Sequence, residues 1–237
     1  MNKRSIRIIC LVLALSLCAA LLVGCGKKDN NSTPTPEETK QAFDPAAYVK
    51  GGLDAVYLGE YSDEYLAMLG GETKDSCAER YERGMQVSLE VFCTYFGIDL
   101  AQCSDSIKSG LLDLMRKMYK SARYEIGTPV QDGDGYTVDV TVSPIAAVAH
   151  VAKEDYPDFA QDAANRIAAG ELDKGSQTFI DWWAKSIADM VNARLIAPDY
   201  LDAQSVTVTL EKNSGGTYSF SGTSLADIDA LIVSYPA

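Results

Sequence analysis

The chain reads as an α+β domain: an antiparallel sheet of two hairpins, with helices packed on one face. Two period-two runs carry that reading. Tyr136, Val138, Val140 and Val142 alternate with Thr137, Asp139, Thr141 and Ser143, and Val206, Val208 and Leu210 repeat the pattern near the C-terminus. Around them lie apolar residues at helical spacing, in the order helices, hairpin, helices, hairpin, helix. Helices that come in runs, not one after each strand, point to an antiparallel sheet. The two halves share this layout without aligning residue by residue, so a duplication is one reading of it.

The first helix is expected to start at Asp44-Pro45, an N-cap followed by a residue suited to the first helical position. Val49, Leu53, Val56 and Tyr57 form its apolar face. Gly51-Gly52 weakens it, so packing must hold it. A short helix around Tyr61 to Leu69 stops at Gly70-Gly71. Ser76 and Glu79 have the spacing of a capping box. Tyr81, Met85, Leu89, Phe92 and Phe96 follow as one helical stripe, closed by Gly97. A second long helix starts near Ser104, with Ile107, Leu111, Leu114, Met115, Met118 and Ala122 on one face. The short connection makes these two antiparallel neighbours.

Tyr124, Ile126 and Val130 supply the strand that pairs with Tyr136–Val142, through a turn at Asp132-Gly133-Asp134-Gly135. Pro144 ends the pairing. One helix is expected over Ala146 to Lys153 and another through Phe159, Ala163 and Ile167 to Gly170. A long helix carries Phe179, Trp183, Ile187, Met190 and Val191. The second hairpin turns at Asn213-Ser214-Gly215-Gly216 and returns through Tyr218 and Phe220. Ser224 is expected to cap a last helix with Leu225, Ile228 and Ile232 inward.

The N-terminus has a different character. Lys3, Arg4 and Arg7 precede an apolar run from Ile8 to Val23, and small residues lead up to Cys25. That is the layout of a secretory signal peptide. Such a run is shorter than the roughly 20 residues of a spanning helix. Free secretion would account for the run but not for the cysteine. Leu22-Val23-Gly24-Cys25 resembles the lipobox of bacterial lipoproteins. That resemblance implies cleavage between Gly24 and Cys25, a diacylglycerol on the Cys25 thiol, and a place on the extracytoplasmic face of the cell membrane. Two or more acyl chains hold a protein stably where one does not. Residues 1–24 are thus read as signal peptide, 25–43 as lipidated cysteine and tether, and 44–237 as the α+β domain. The tether, rich in Asn, Ser, Thr and Pro, has too little apolar surface to order itself. It reaches about 25 Å. The layout of the domain is similar to uncharacterised lipoprotein domains of Gram-positive bacteria, from which no functional residue carries over.

Charge narrows the partners. The full chain holds 21 basic and 33 acidic residues, a net of −12, and loss of the signal leaves 18 basic residues and a net of −15. A surface this acidic repels phosphate backbones, so no nucleic acid is expected as a partner. Membrane lipid through Cys25, an envelope protein and a small ligand stay open. No cofactor is called for. Of the cysteines, Cys77, Cys93 and Cys103 belong to the domain, and their spacing with the lone His150 fits no zinc site. Cys93 and Cys103 should sit at the same end of the two long helices. Cys77 lies about 24 Å along the helix from Cys93, too far for the roughly 7 Å that a bridge spans. A Cys93–Cys103 bridge and three free thiols are both open.

Candidate chemistry is sparse. His150 sits in an apolar helical context with no nucleophile elbow anywhere, which favours a structural histidine over a triad member. Asp132-Gly133-Asp134-Gly135 departs from the calcium loop, because its fifth position is Tyr136 and its twelfth Ser143. Carboxylate pairs such as Glu79 with Glu82, Asp155 with Asp158 and Asp181 with Asp189 read as solvated helix faces, not a glycosidase pair. Trp183 fits the buried stripe of its helix. Trp182 points about 100° away and is the side chain singled out for a ligand or partner contact. A binding or interaction module, and no enzyme, is therefore expected. A small solute-binding receptor and a cell-envelope hydrolase are the alternatives.

Overall fold

The structure is a computed structural model that describes residues 43–236. Helix α1 spans Pro45–Leu53 and runs straight into a π turn, Asp54–Leu58. The carboxylate of Asp44 accepts from the N–H groups of Ala46 and Ala47, at 2.9 and 3.1 Å. Helix α2 spans Asp63–Met68, α3 Lys74–Phe96 and α4 Asp105–Tyr119. Strands β1 (Arg123–Ile126), β2 (Val130–Asp132) and β3 (Gly135–Ser143) follow. Then come α5 (Ala147–His150), a second π turn (Val151–Asp155), α6 (Tyr156–Ala168) and α7 (Gln177–Arg194). Strands β4 (Gln204–Lys212) and β5 (Tyr218–Ser221) and helix α8 (Ser224–Ile232) complete the described chain.

The fold is α+β, with one antiparallel sheet. Its order is β1-β3-β4-β5, and β2 lies beside β3 next to β1. The two hairpins are joined by a long β3–β4 pairing that sets Val138 opposite Val208 and Val140 opposite Val206. The sheet register follows the expected alternation. Val138, Val140 and Val142 are buried, whereas Asp139 is exposed. On the inner face α1 and α8 touch the sheet, α3 and α4 pack outside the first π turn, and α7 packs on α4. Ile145 pins the end of β3 to the C-terminal segment: its N–H donates to Ile232 O and its carbonyl accepts from Ser234.

Packing explains the paired glycines of α1. A Cβ on Gly51 would stand 2.5 Å from the Tyr65 ring, and one on Gly52 2.9 Å from Phe220. These glycines let α1 lie close against α2 and β5. Phe43, the last residue of the stretch read as a tether, stacks on Tyr218 with ring centroids 3.9 Å apart.

Several local expectations are corrected. The capping box of α3 lies three residues earlier than expected. Thr73 is the N-cap, and the Thr73 and Ser76 side chains each accept from the other residue's N–H. The Ser76–Glu79 spacing fits a box equally well in sequence, but Thr73 alone has the extended backbone that a cap needs. Thr223, not Ser224, precedes α8. Ser224 is its first residue, buried, with its hydroxyl donating to Ser221 O.

The expected pair of helices after Pro144 is one continuous path through the second π turn. Pro157 has no N–H for the Lys153 carbonyl and its ring crowds that oxygen. The wider turn, closed by Tyr156 N–H on Val151 O, absorbs the misfit. The strand facing β3, expected to carry Tyr124, Ile126 and Val130 together, is also split into β1 and β2, and Val130 is 61% exposed.

Candidate functional site

A polar site lies where α1 meets the edge of the sheet. The first π turn widens the end of α1, and Gly59, with φ of 68°, stops it. Such turns often occur at functional sites. This one aims Asp54 at strand β1, where Tyr124 Oη donates to Asp54 Oδ1 at 2.6 Å. One helical turn back, Lys50 Nζ donates to Asp54 Oδ2 at 2.5 Å. Tyr124 projects inward, as its position opposite Val142 requires. Burial, and then the bond to the Asp54 carboxylate, push its phenol well above the usual range. The phenol is thus a fixed neutral donor. Both oxygens of Asp54 are engaged, one by Lys50 and one by Tyr124.

An open groove of about 590 Å³ surrounds this triad. Lys50, Asp54 and Leu58 form one wall, and Ala122 to Glu125 of the edge strand form the other. Thr141, Ser143 and Ala203 extend it over the polar face of the sheet. Arg123 and Glu125 stand two apart on that face, opposite Ser143 and Thr141. The Arg123 guanidinium lies 4.0 Å over the Tyr200 ring, and Tyr200 Oη is fixed by donation to Ser121 O. Glu125 has no ion pair among the described residues. The groove therefore offers an anion, a held cation, hydroxyls and strand backbone, over a charge-neutralised floor.

The residues singled out from sequence fall elsewhere. Gly24 and Cys25 lie outside the described residues. Trp182 does not line the groove. It is half-buried between Phe159 and Phe179, with centroids 5.1 and 5.6 Å away, and Arg166 lies over its ring. Trp183 donates from Nε1 to Phe96 O at 3.3 Å.

His150 sits at the second π turn with Nδ1 3.0 Å from Glu154 Oε1. Arg194 joins Glu154 to Asp155. His150, and then Arg194, hold the Glu154 carboxyl below its ordinary range. Among the described residues no hydroxyl or thiol hydrogen-bonds to His150, and the cluster is a network of charged side chains. The Asp132–Gly135 segment is a two-residue turn with Gly133 at φ 57°.

Glu82 pairs with Arg116, and Asp181 accepts from the Ser104 N–H. Among the described residues no group of three His, Cys, Asp or Glu is placed to hold a metal ion. Cys77, Cys93 and Cys103 are buried free thiols. Burial pushes the Cys93 thiol up to about 12.

Sequence reasoning missed Lys50, Asp54, Arg123 and Glu125. The legible trace was weak: alternating charges flank Tyr124 in a strand, and Asp54 interrupts an apolar helical run.

No protein-family model matches this chain, and neither does any curated protein sequence. Among the described residues, no helix is long and apolar enough to cross a membrane. One solved structure resembles the fold: ycdA, a candidate lipoprotein from Bacillus subtilis, at a TM-score of 0.56 and 11% identity. The likeness covers 80% of this chain and 56% of that one, so this chain spans little more than half the neighbour's length, and what the two share is the α+β fold.

Proposed function

We propose that the chain is a lipoprotein held on the extracytoplasmic face of the cell membrane through a diacylglycerol on Cys25, with a domain that binds a ligand in the groove beside Asp54 and Tyr124. The observation that carries this reading is the basic start, apolar run and Leu22-Val23-Gly24-Cys25 at the N-terminus. The fold shared with a candidate lipoprotein supports it. Binding is favoured over catalysis because the one carboxylate at the groove floor is committed to Lys50 and Tyr124. The partner is an envelope protein or a small ligand, not nucleic acid. A small-solute receptor is the second reading, favoured by the mixed charges and hydroxyls of the groove. A cell-envelope hydrolase lacks such support.

Fatty-acid labelling of cells expressing the wild type and Cys25→Ala tests the anchor. Wild type takes up label, and the variant does not and keeps its signal or leaves the membrane fraction. Equal label on both overturns the reading.

A further inference from the structure

Strand β1 is the outermost strand on its side of the sheet. The antiparallel pattern decides which of its backbone groups face β3. Gly127 N–H donates to Asp139 O at 2.7 Å. Those two residues stand opposite each other in the register that pairs Ile126 with Val140. Hydrogen-bonded pairs alternate with non-bonded ones along an antiparallel ladder. Glu125 and Arg123 therefore turn their backbone groups toward β3. Tyr124 and Ile126 turn theirs away from it. Among the described residues nothing beyond the ladder takes up either N–H, and Tyr124 lines the groove.

The side chains add direction. Arg123 and Glu125 share the polar face of this strand, and neither has an ion pair among the described residues. The Tyr200 ring holds the Arg123 guanidinium by its face, which leaves the in-plane N–H donors free. The turn carrying Asp54 and Leu58 forms the opposite wall. A guest in this groove lies between a helix end and a strand edge, a geometry suited to strand addition.

We propose that the groove takes an extended peptide segment, which joins β1 as an additional antiparallel strand with a basic residue opposite Glu125 and an acidic residue two positions later, opposite Arg123. Main-chain bonds to Tyr124 and Ile126 hold the guest, and the two charges set its register. This ligand class rests on the reading of the groove as a binding site.

The test uses three dye-labelled peptides and the full chain in detergent, read by fluorescence anisotropy. One peptide is Thr-Lys-Thr-Glu-Thr with a labelled N-terminus and an amidated C-terminus. The second exchanges its Lys and Glu. The third is the first with methyl groups on the amide nitrogens of its first and second threonines, which face Ile126 and Tyr124. The first is expected to bind at least tenfold tighter than the third. The double variant Arg123→Glu, Glu125→Arg is expected to reverse the preference between the first two. Equal binding of the methylated peptide overturns strand addition while leaving the groove a binding site. No binding by any peptide also overturns it, whereas loss of the proposed anchor shows only in the fatty-acid labelling. A preference unchanged in the double variant overturns the assigned register.

Discussion

Tyr124 reaches across the molecule to Asp54, and the 2.6 Å bond between them ties the sheet edge to the widened end of α1. The phenol donates to a charged acceptor that is only 16% exposed. Tyr124→Phe is expected to cost about 1.5–2 kcal/mol, the lower part of the range for such bonds. Urea unfolding of the two proteins checks it. An unchanged midpoint would show that water replaces the phenol without loss.

Alkaline conditions should destabilise the domain. Burial raises the phenols of Tyr124 and Tyr65 well above the usual range and pushes Tyr61 up to about 12. Unfolded tyrosines ionise near about pH 10. The folded state therefore keeps protons that the unfolded state releases. That stability is fully present below about pH 10 and is lost as pH rises through the folded values. The urea midpoint should stay flat from pH 7 to 9 and fall by pH 11, less steeply in Tyr124→Phe. A midpoint that rises over that interval contradicts the sign.

Two glycine substitutions should move stability in opposite directions. Gly110 sits inside α4, exposed, with nothing within 4 Å of a Cβ. Gly110→Ala should stabilise by about 0.5–1 kcal/mol, the usual helical gain over glycine. Gly51→Ala has the same gain, but its Cβ would stand 2.5 Å from a fully packed Tyr65 ring. Overpacking of that kind costs about 1–3 kcal/mol, so the net effect should be destabilising. Thermal melts rank the three proteins.

The sheet register has its own test. Val140 is 0% exposed, and Val140→Asp buries an unpaired charge and should unfold the domain. Thr137→Asp, on the opposite face, should shift stability by no more than about 0.5 kcal/mol. Thr141→Asp is no neutral control, because Thr141 bonds to Ser205 and stands opposite Glu125. Equal melting temperatures for the Val140 and Thr137 variants would place the wrong face inward.

Cys93 and Cys103 should behave as inert thiols. Both are buried, and burial raises both above the ordinary thiol value, which disfavours the reactive thiolate. Iodoacetamide at pH 8 should leave them unlabelled in the folded protein and modify both after unfolding. Recovery of a joined Cys93–Cys103 peptide from air-purified protein would refute this.

The helices and strands were legible because side-chain period reports a buried face directly. Tyr81 to Phe96 and Val138 to Val142 needed no more than that. The π turns were not legible, since a shift of backbone bonding from four residues to five leaves the side-chain pattern nearly unchanged. Pro157 held a clue to the second turn, and Asp54-Ala55 held none to the first. Caps slipped because Thr73, Ser76, Thr223 and Ser224 are all competent residues, and backbone conformation chooses among them. The groove was invisible for another reason. The β1–β3 hairpin sets Arg123 near Thr141, but Lys50 lies far from both in the chain, and only the packing of α1 against the sheet edge brings it to them.

The central strand has a consequence for how the chain reaches this fold. While the polypeptide is being completed, β3 can pair with β1 and β2 as soon as they exist, but β4 arrives only after α5, α6 and α7. Through that interval the second edge of β3 lies open along a valine-rich strand, able to pair with any other extended chain it meets. The non-local β3–β4 closure also slows folding, because loop entropy must be spent before the contacts form. Aggregation during refolding should therefore increase with protein concentration, and an excess of a β4 peptide, Gln204–Lys212, should suppress it by occupying that edge.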